Sequence, residues 1–155
     1  MEMNRLNKMN KQMVIQLDKK QQTLFDKCVN LFGCIPPNYQ IVAVVTDKVV
    51  SVKFSKETVK LMLQNAPHTR NKFHRMLCEQ LSTGSGLARC NDGDKFDENR
   101  GLRLAKLRFV KYVTNVTLGC YKQLHADMTK KFENMKNLIT VSVDKMDIAI
   151  NKYGV

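Results

Sequence analysis

The segment YQIVAVVTDKVVSVKFS, residues 39–55, limits most strongly what this chain can fold into. Apolar residues alternate on both sides of a short polar break, and these are Ile41, Ala43 and Val45 before it, and Val50, Val52 and Phe54 after it. Alternation of this kind is typical of half-buried strands, because successive side chains of a strand point to opposite faces. Residues 46–48, TDK, supply the reversal, so the segment predicts an antiparallel hairpin.

Two shorter segments could add strands to the hairpin. In QMVIQL, residues 12–17, the residues Met13, Ile15 and Leu17 fall on one side, which fits either a short strand or the first turns of a helix. GLARC, residues 86–90, is a candidate third strand that pairs with the hairpin. The preceding STGSG, residues 82–86, is expected to be a flexible connection.

A helix is expected before the hairpin. Asp18 is a plausible N-cap, because its carboxylate can accept hydrogen bonds from free backbone amides. Gly33 suits the position just past a helix end, and the prolines at 36–37 prevent continuation. The apolar face between these signals consists of Leu24, Phe25, Cys28, Leu31 and Phe32.

Two short helices are expected after the hairpin. Ser55 caps the first, which ends before Pro67, and Thr69 caps the second. Their apolar stripes comprise Val59, Met62 and Leu63 in the first, and Phe73, Met76, Leu77 and Leu81 in the second.

From Asp97 onward the chain has helical periodicity. One narrow arc holds Leu102, Ala105, Phe109, Tyr112, Val113, Val116 and Cys120. Because Leu104, Leu107 and Val110 lie outside that arc, we expect this helix to be covered on more than one side. A second, methionine-rich stripe holds Leu124, Met128, Phe132, Met135, Ile139, Met146 and Ile150. The β-branched residues of TVSV, 140–143, weaken it and leave open a break or a strand there.

These patterns predict an α+β fold, with a small antiparallel sheet, helices packed on it, and a long C-terminal amphipathic helix or helical hairpin. Residues 1–120 are expected to form the α+β domain. Residues 121–155 are expected to form a C-terminal helical segment packed on the same domain.

The stretch CNDGDKFDENRGLRLAKLR, residues 90–108, changes abruptly from acidic to basic. Asp97 is placed to cap a helix, and Glu98 lies in the first turn, where a negative charge suits the helix dipole. An EF-hand is excluded, because Phe96 and Arg103 take positions that need oxygen ligands. A Mg²⁺ site at Asp92 and Asp94 stays open, although capping and turn formation explain most of these carboxylates.

The longer segment ARCNDGDKFDENRGLRLAKLR resembles a pattern in small proteins of bacteriophages and mobile elements of Gram-positive bacteria. In that pattern a strand ending in cysteine leads through an Asp-x-Phe-Asp turn into a helix that opens Gly-x-x-Leu-Ala-x-x-Arg. The matching positions are Ala88, Cys90, Asp94, Phe96, Asp97, Gly101, Leu104, Ala105 and Arg108. The resemblance implies a phage or mobile-element accessory origin and no assigned chemistry.

The chain carries a large positive charge, with 26 Lys and Arg against 14 Asp and Glu, or +12 overall. Such a field favours polyanionic partners: DNA, RNA or the acidic face of another protein. The cations expected to form one positive face, if two helices pack side by side, are Arg70, Lys72, Arg75, Arg89, Arg100, Arg103, Lys106, Arg108 and Lys111. A solvated basic surface without a partner is the alternative.

Catalytic and metal motifs are sparse. The sequence has no Walker loop, dinucleotide-binding glycine pattern, Gly-x-Ser-x-Gly or His-Glu-x-x-His, so we expect no enzymatic activity and no cofactor. His74 and Cys78 have an acceptable zinc spacing on one helix, and Cys28, Cys34, Cys90 and His125 are further possible ligands. Without a Cys-x-x-Cys knuckle, we expect no metal and five reduced thiols.

We therefore expect a small basic protein of a phage or mobile element that binds nucleic acid in the cytoplasm of a bacterial host. Neither a signal peptide nor a membrane span is expected. The alternative is a protein-binding inhibitor or adaptor that acts on a host nucleoprotein machine, in the manner of anti-CRISPR and other anti-defence factors. The methionine-rich C-terminal stripe favours the alternative or a homo-oligomer.

Overall fold

The computed structural model describes residues 11–65, 72–90, 93 and 95–154, without the side chains of 29–32 and 65. Its strands are β1 (Lys11–Ile15), β2 (Ile41–Val45), β3 (Val49–Phe54) and β4 (Gly86–Arg89). Its helices are α1 (Lys19–Phe32), α2 (Lys56–Asn65), α3 (Lys72–Thr83) and α4 (Glu98–Tyr153). The α+β prediction is confirmed, with a long C-terminal helix rather than a helical hairpin.

The four strands form one antiparallel sheet in the order β1-β2-β3-β4. The predicted hairpin is confirmed: Ile41 pairs with Phe54 and Val45 with Val50, and the Thr46 amide donates to the Val49 carbonyl at 2.9 Å. The QMVIQL segment is a strand rather than a helix start, since Met13 pairs with Ala43. GLARC also pairs with the hairpin, through β3, as predicted.

Three phenylalanines join the helices to the sheet. Phe109 of α4 lies 5.1 Å from Phe54 of β3 and 6.0 Å from Phe25 of α1, measured between ring centroids. All three rings are almost completely buried. Because aromatic side chains remove a large apolar area from water and their tilted contacts add further attraction, this trio anchors α1 and α4 to one face of the sheet.

Glycine sets the distance between α4 and β4. A Cβ atom at Gly86 would collide with the carbonyl oxygen of Ala105 and the amide nitrogen of Phe109, so only glycine allows this approach. The STGSG segment is therefore no flexible linker. Residues 82–83 still belong to α3, and Gly84 is buried against the ring of Tyr112.

Local signals fixed most helix boundaries correctly. Asp18 immediately precedes α1 as predicted, but the side-chain cap at this end is Gln21, whose Oε1 accepts the Asp18 amide at 3.1 Å, while the Asp18 carboxylate lies 3.9 Å from Lys106 Nζ. Gly33, just past α1, has a φ of 65°. Ser55 caps α2, because its Oγ accepts the Thr58 amide at 3.2 Å. The predicted caps and stops at Thr69 and Pro67 lie outside the described residues.

Several predicted apolar faces are only partly buried. The predicted buried arc of α4 is confirmed at Ala105, Phe109, Val113 and Cys120, which are all buried. The prediction that α4 is also covered on a second side is confirmed for Val110, which is buried. It is wrong for Leu104 and Leu107, which are 39% and 56% exposed. Leu24, Leu63 and Met76 are likewise exposed.

The TVSV segment neither breaks α4 nor forms a strand. Thr140 Oγ1 donates to the Lys136 carbonyl and Ser142 Oγ to the Leu138 carbonyl, each at 2.8 Å. These bonds to the carbonyl four residues earlier satisfy the hydroxyls within the helix, so neither hydroxyl has to break the helix to find a partner.

The chain divides into two compact units, Met1–Cys120 and Tyr121–Val155. In the second unit, every described side chain from Met128 onward is exposed. Among the described helices, none combines the length and the apolar composition that spanning a lipid bilayer requires.

Candidate nucleic-acid interface and a thiol–histidine cluster

A concave site of about 460 Å³ lies where β4 leads into α4, and we call it the basic cleft. It is lined by Ala88, Arg89, Cys90, Lys95, Phe96, Asp97, Arg100, Gly101 and Leu104. Three of these side chains are cationic and exposed, namely Arg89, Lys95 and Arg100. A cavity with convergent cations and an aromatic ring can accept a phosphate group and stack a base.

The same cleft lies at the N-terminus of α4. Asp97 is its N-cap as predicted, since Oδ1 accepts the Arg100 amide at 3.2 Å. Free amides and the helix dipole favour negative charge at this end of a helix. Asp97 already satisfies part of that preference, so the three cationic side chains are the main attraction for a bound anion.

The structure brings some of the predicted basic residues together at this cleft and places others elsewhere. Arg89 and Arg100 line it. Arg108 lies near them and donates from Nη1 to the Leu87 carbonyl of β4 at 2.6 Å. Lys111 is exposed one helical turn further along α4. Since residues three, four, seven and eight apart share a helix face, Arg100, Arg108 and Lys111 extend one basic strip from the cleft.

Arg103 and Lys106 belong to a different surface. They line a separate hollow of about 350 Å³ together with Asp18 and Gln21 of the α1 start. Lys106 Nζ lies 3.9 Å from Asp18 Oδ1, and its side chain is only 16% exposed. Lys106 is thus partly engaged within the protein, whereas Arg103 is exposed.

Lys72 and Arg75 are far from the cleft. Cys120 Sγ donates to the Phe73 carbonyl at 3.2 Å and Tyr112 Oη to the Gln80 carbonyl at 2.6 Å, so α3 runs antiparallel to α4 and begins beside Cys120. At about 1.5 Å of rise per residue, Arg100 and Cys120 are separated by about 30 Å along α4. The two helix starts therefore do not meet in one face, and Arg70 lies outside the described residues.

The prediction from sequence also left out four lysines that line concave sites. Lys95 lines the basic cleft but stands in a stretch that reads as acidic. Lys53, Lys56 and Lys60 line a second groove between β3 and α2. The spacing of these three lysines across a strand end and a helix start was the available signal for the groove.

A cluster of sulfur and nitrogen atoms that could bind a metal ion lies near the start of α3. Ligand atoms of Cys34, His74 and Cys78 all lie within 4.8 Å of one another. Cys34 Sγ also contacts the His74 carbonyl at 3.6 Å, which joins the loop after α1 to the first turn of α3. The sequence identified His74 and Cys78 as a pair, and the fold adds Cys34.

His74 contributes an unsatisfied atom to this cluster. Its Nε2 is buried and has no hydrogen-bond partner among the described residues. Leaving a buried polar atom without a partner costs about 1–3 kcal/mol, so such atoms usually serve a ligand or an ordered water.

The thiols around His74 influence one another. The hydrogen bond with Cys78, followed by burial, raises the pKa of Cys34, whereas the same bond lowers the pKa of Cys78. Burial and then the charge of Cys78 raise the pKa of Cys120. All five cysteines are free thiols.

Comparison of the chain with protein-family models, with curated proteins and with solved structures finds no match.

Proposed function

We propose that this chain is a small basic accessory protein of a phage or mobile element that binds DNA or RNA through the basic cleft. The observation that carries the proposal is the convergence of Arg89, Lys95 and Arg100 around one cavity that also holds Phe96. Cations attract the phosphate backbone and release its counterions, and an aromatic ring offers a stacking surface for an unpaired base.

The phage-like pattern supports the same site. Six of its nine positions line the cavity, and these are Ala88, Cys90, Phe96, Asp97, Gly101 and Leu104. A pattern that describes a strand, a turn and a helix start therefore also describes the wall of a basic cleft. The role proposed here is binding in the host cytoplasm rather than catalysis.

A second candidate function is a protein-binding inhibitor or adaptor that acts on a host nucleoprotein machine. The observation that favours it is an apolar patch on the exposed side of α4, beside the basic strip. Leu104, Leu107 and Leu118 are 39%, 56% and 49% exposed and share this side with Lys111. Exposed leucines next to cations suit a partner that offers an apolar centre and an acidic rim.

An affinity purification from bacterial lysate, with and without nuclease, tests the choice. If the proposal holds, nucleic acid is recovered with the protein, and nuclease removes both it and any protein bound to it. A stoichiometric protein that remains after nuclease treatment would contradict the nucleic-acid proposal. Substitution of Leu107 by Lys should release such a protein if the apolar patch holds it.

A further inference from the structure

Three potential metal ligands, Cys34, His74 and Cys78, lie within 4.8 Å of one another in the first unit, and a fourth thiol, Cys120, approaches the same turn of α3. Cys34 comes from the loop after α1, His74 and Cys78 from the first turns of α3, and Cys120 from α4. Cys34 Sγ bonds the carbonyl of His74, and Cys120 Sγ bonds the carbonyl of Phe73, the residue before it. Neighbouring carbonyls in a helix are only a few ångströms apart, so both thiols contact the first turn of α3, with Cys120 outside the group of three whose ligand atoms lie within 4.8 Å of one another.

We propose that Cys34, His74 and Cys78 bind one Zn²⁺ ion, and that a rotation of the Cys120 side chain from its bond with the Phe73 carbonyl supplies the fourth ligand of a structural Cys₃His site. This proposal replaces the sequence-based expectation of no bound metal. It is independent of the basic cleft, because the cluster lies near the start of α3 and the cleft lies at the start of α4.

The donor set identifies the metal class. Thiolates and an imidazole are soft and borderline ligands, which favour Zn²⁺ over the oxygen-seeking Mg²⁺ and Ca²⁺. Bonds of about 2.3 Å to sulfur and about 2.0 Å to nitrogen place tetrahedral ligands roughly 3.5 Å apart. The ligand atoms of Cys34, His74 and Cys78 are within 4.8 Å of one another, so small side-chain rotations would close them around an ion.

Two further observations fit a bound metal ion better than a hydrophobic core in which the thiols and the imidazole bind nothing. The buried Nε2 of His74 has no partner among the described residues, and coordination would satisfy it. Cys34, Cys78 and Cys120 are all buried, which gives the closed surroundings of a structural site rather than the open position of a catalytic one. The ion would bind together segments that are far apart in sequence and so stabilise the first unit.

The test starts from the full chain expressed in zinc-supplemented cells and purified without chelator. Elemental analysis and native mass spectrometry should give about one zinc per chain. The Cys34→Ser and Cys78→Ser variants should lose most of the zinc, whereas Cys28→Ser should keep it. Cys28 is the matched control, because it is half-buried in the same unit and lies outside the cluster.

Cobalt substitution keeps the proposal testable if those variants fail to fold. Co²⁺ in the wild-type protein should give the visible bands of a tetrahedral site and thiolate charge-transfer absorption in the near ultraviolet. In Cys120→Ser the charge-transfer intensity should fall by about one third, since one of three thiolates is removed. A folded wild-type protein without zinc and without these cobalt bands would overturn the proposal, as would equal zinc loss in Cys28→Ser.

A second inference comes from the C-terminal unit, where apolar residues recur with a period of eleven. Three sets repeat at this spacing: Tyr121, Phe132 and Val143; Leu124, Met135 and Met146; Met128, Ile139 and Ile150. Eleven residues complete three turns at 3.67 residues per turn, so the nine side chains form one straight stripe along α4. The seven from Met128 to Ile150 are between 44% and 68% exposed.

The stripe is also symmetric. From Met128 to Ile150, successive members are separated by 4, 3, 4, 4, 3 and 4 residues, so the spacing reads the same in both directions from Ile139. Two copies that run antiparallel about Ile139 would therefore pair stripe residues with stripe residues along the whole segment. Sustained apolar repeats of this period are typical of coiled coils with a right-handed or nearly straight course.

Charge favours the antiparallel arrangement. Lys131 and Lys136 flank the stripe on opposite sides, five residues apart, and a parallel pair would place Lys131 of one copy beside Lys136 of the other, twice. The exposed ion pair of Lys131 with Asp127, at 3.2 Å, offsets this repulsion only partly. An antiparallel pair instead brings the lysine-rich half toward a half in which Asp144 and Asp147 balance Lys145 and Lys152, so the repulsion between like charges is smaller.

We infer that the occupant of this stripe is a second copy of the chain, in an antiparallel two-stranded coiled coil centred on Ile139. Sedimentation and light scattering of the full chain should give twice its 17.9 kDa mass. Ile139→Asp should give monomers, whereas Ile148→Asp should remain dimeric. Ile148 is the matched control, because it is 68% exposed and lies on the opposite side of the helix, nine residues away.

Crosslinking tests the orientation. A mixture of Met128→Cys and Ile150→Cys chains should form a mixed disulfide dimer under mild oxidation, because these positions are equidistant from Ile139. A parallel dimer would instead crosslink Met128→Cys to itself. A monomeric wild-type chain, dimers that survive Ile139→Asp, or a stripe that binds lipid vesicles as a monomer would overturn the inference.

Discussion

Arg108 of α4 and Leu87 of β4 are joined by a hydrogen bond of 2.6 Å from the guanidinium Nη1 to the backbone carbonyl oxygen. The Cys90 amide bonds the Lys48 carbonyl, so in the alternating antiparallel pattern the Leu87 carbonyl points to the open edge of β4, where its partner must come from outside the sheet. One cation of the basic strip therefore also secures the strand that forms a wall of the cleft.

We expect Arg108→Ala to lower the free energy of unfolding by about 1 kcal/mol, because it leaves the Leu87 carbonyl to water alone. Lys111→Ala, an exposed change on the same face, should stay within about 0.5 kcal/mol of wild type. Urea denaturation followed by circular dichroism measures both. Equal effects of the two substitutions would show that the bond contributes nothing.

Gly86 and Gly119 give opposite predictions for the same substitution. Gly86→Ala should destabilise the protein by about 3 kcal/mol or prevent folding, because its Cβ meets the backbone of Ala105 and Phe109. Gly119→Ala should stabilise it by about 0.5–1 kcal/mol, since this exposed helix position has no described atom within 4 Å of the new Cβ. Thermal melts of both variants measure these effects. If both variants were more stable than wild type, the close packing of β4 against α4 would be contradicted.

Asp97→Ala should cost about 1 kcal/mol through loss of the α4 N-cap. Since the explanation is a hydrogen bond to the Arg100 amide, the cost should be the same with and without added Mg²⁺. Asp97→Asn, which keeps a capping oxygen, should recover most of the stability. A cost that changes with Mg²⁺ would indicate that the acidic stretch binds a metal.

Local features of the fold were predictable from sequence. The hairpin, the start of α1 after Asp18, the caps at Ser55 and Asp97, and the buried arc of α4 follow from patterns within about fifteen residues, where period and capping chemistry act directly. The exposure of Leu104 and Leu107 was not predictable, because periodicity shows which residues share a face and not whether another element covers it.

The candidate sites depend on distant parts of the chain. Cys34 reaches the His74 carbonyl across 40 residues, and no local spacing signals such a contact. No local pattern indicates that α3 runs antiparallel to α4. Lys72 and Arg75 were therefore grouped with Arg100, although the fold separates them. Lys95 was missed because its acidic neighbours dominate the local composition.

The basic cleft is tested most directly by the salt dependence of nucleic-acid binding in a variant that carries both Arg89→Glu and Arg100→Glu. The matched control carries Lys20→Glu and Lys27→Glu, which makes the same change in net charge at exposed positions of α1. Fluorescence anisotropy with duplex DNA, single-stranded DNA and RNA at several salt concentrations gives the affinity and its logarithmic slope for each protein.

Wild type and control should bind with affinities that fall steeply with salt, because each neutralised phosphate releases counterions. The cleft variant should bind all sequences more weakly, with a slope on duplex DNA shallower by about 2, since it lacks two phosphate contacts. Absence of wild-type binding at low salt, or equal binding by a folded cleft variant and the control, would contradict the proposed function.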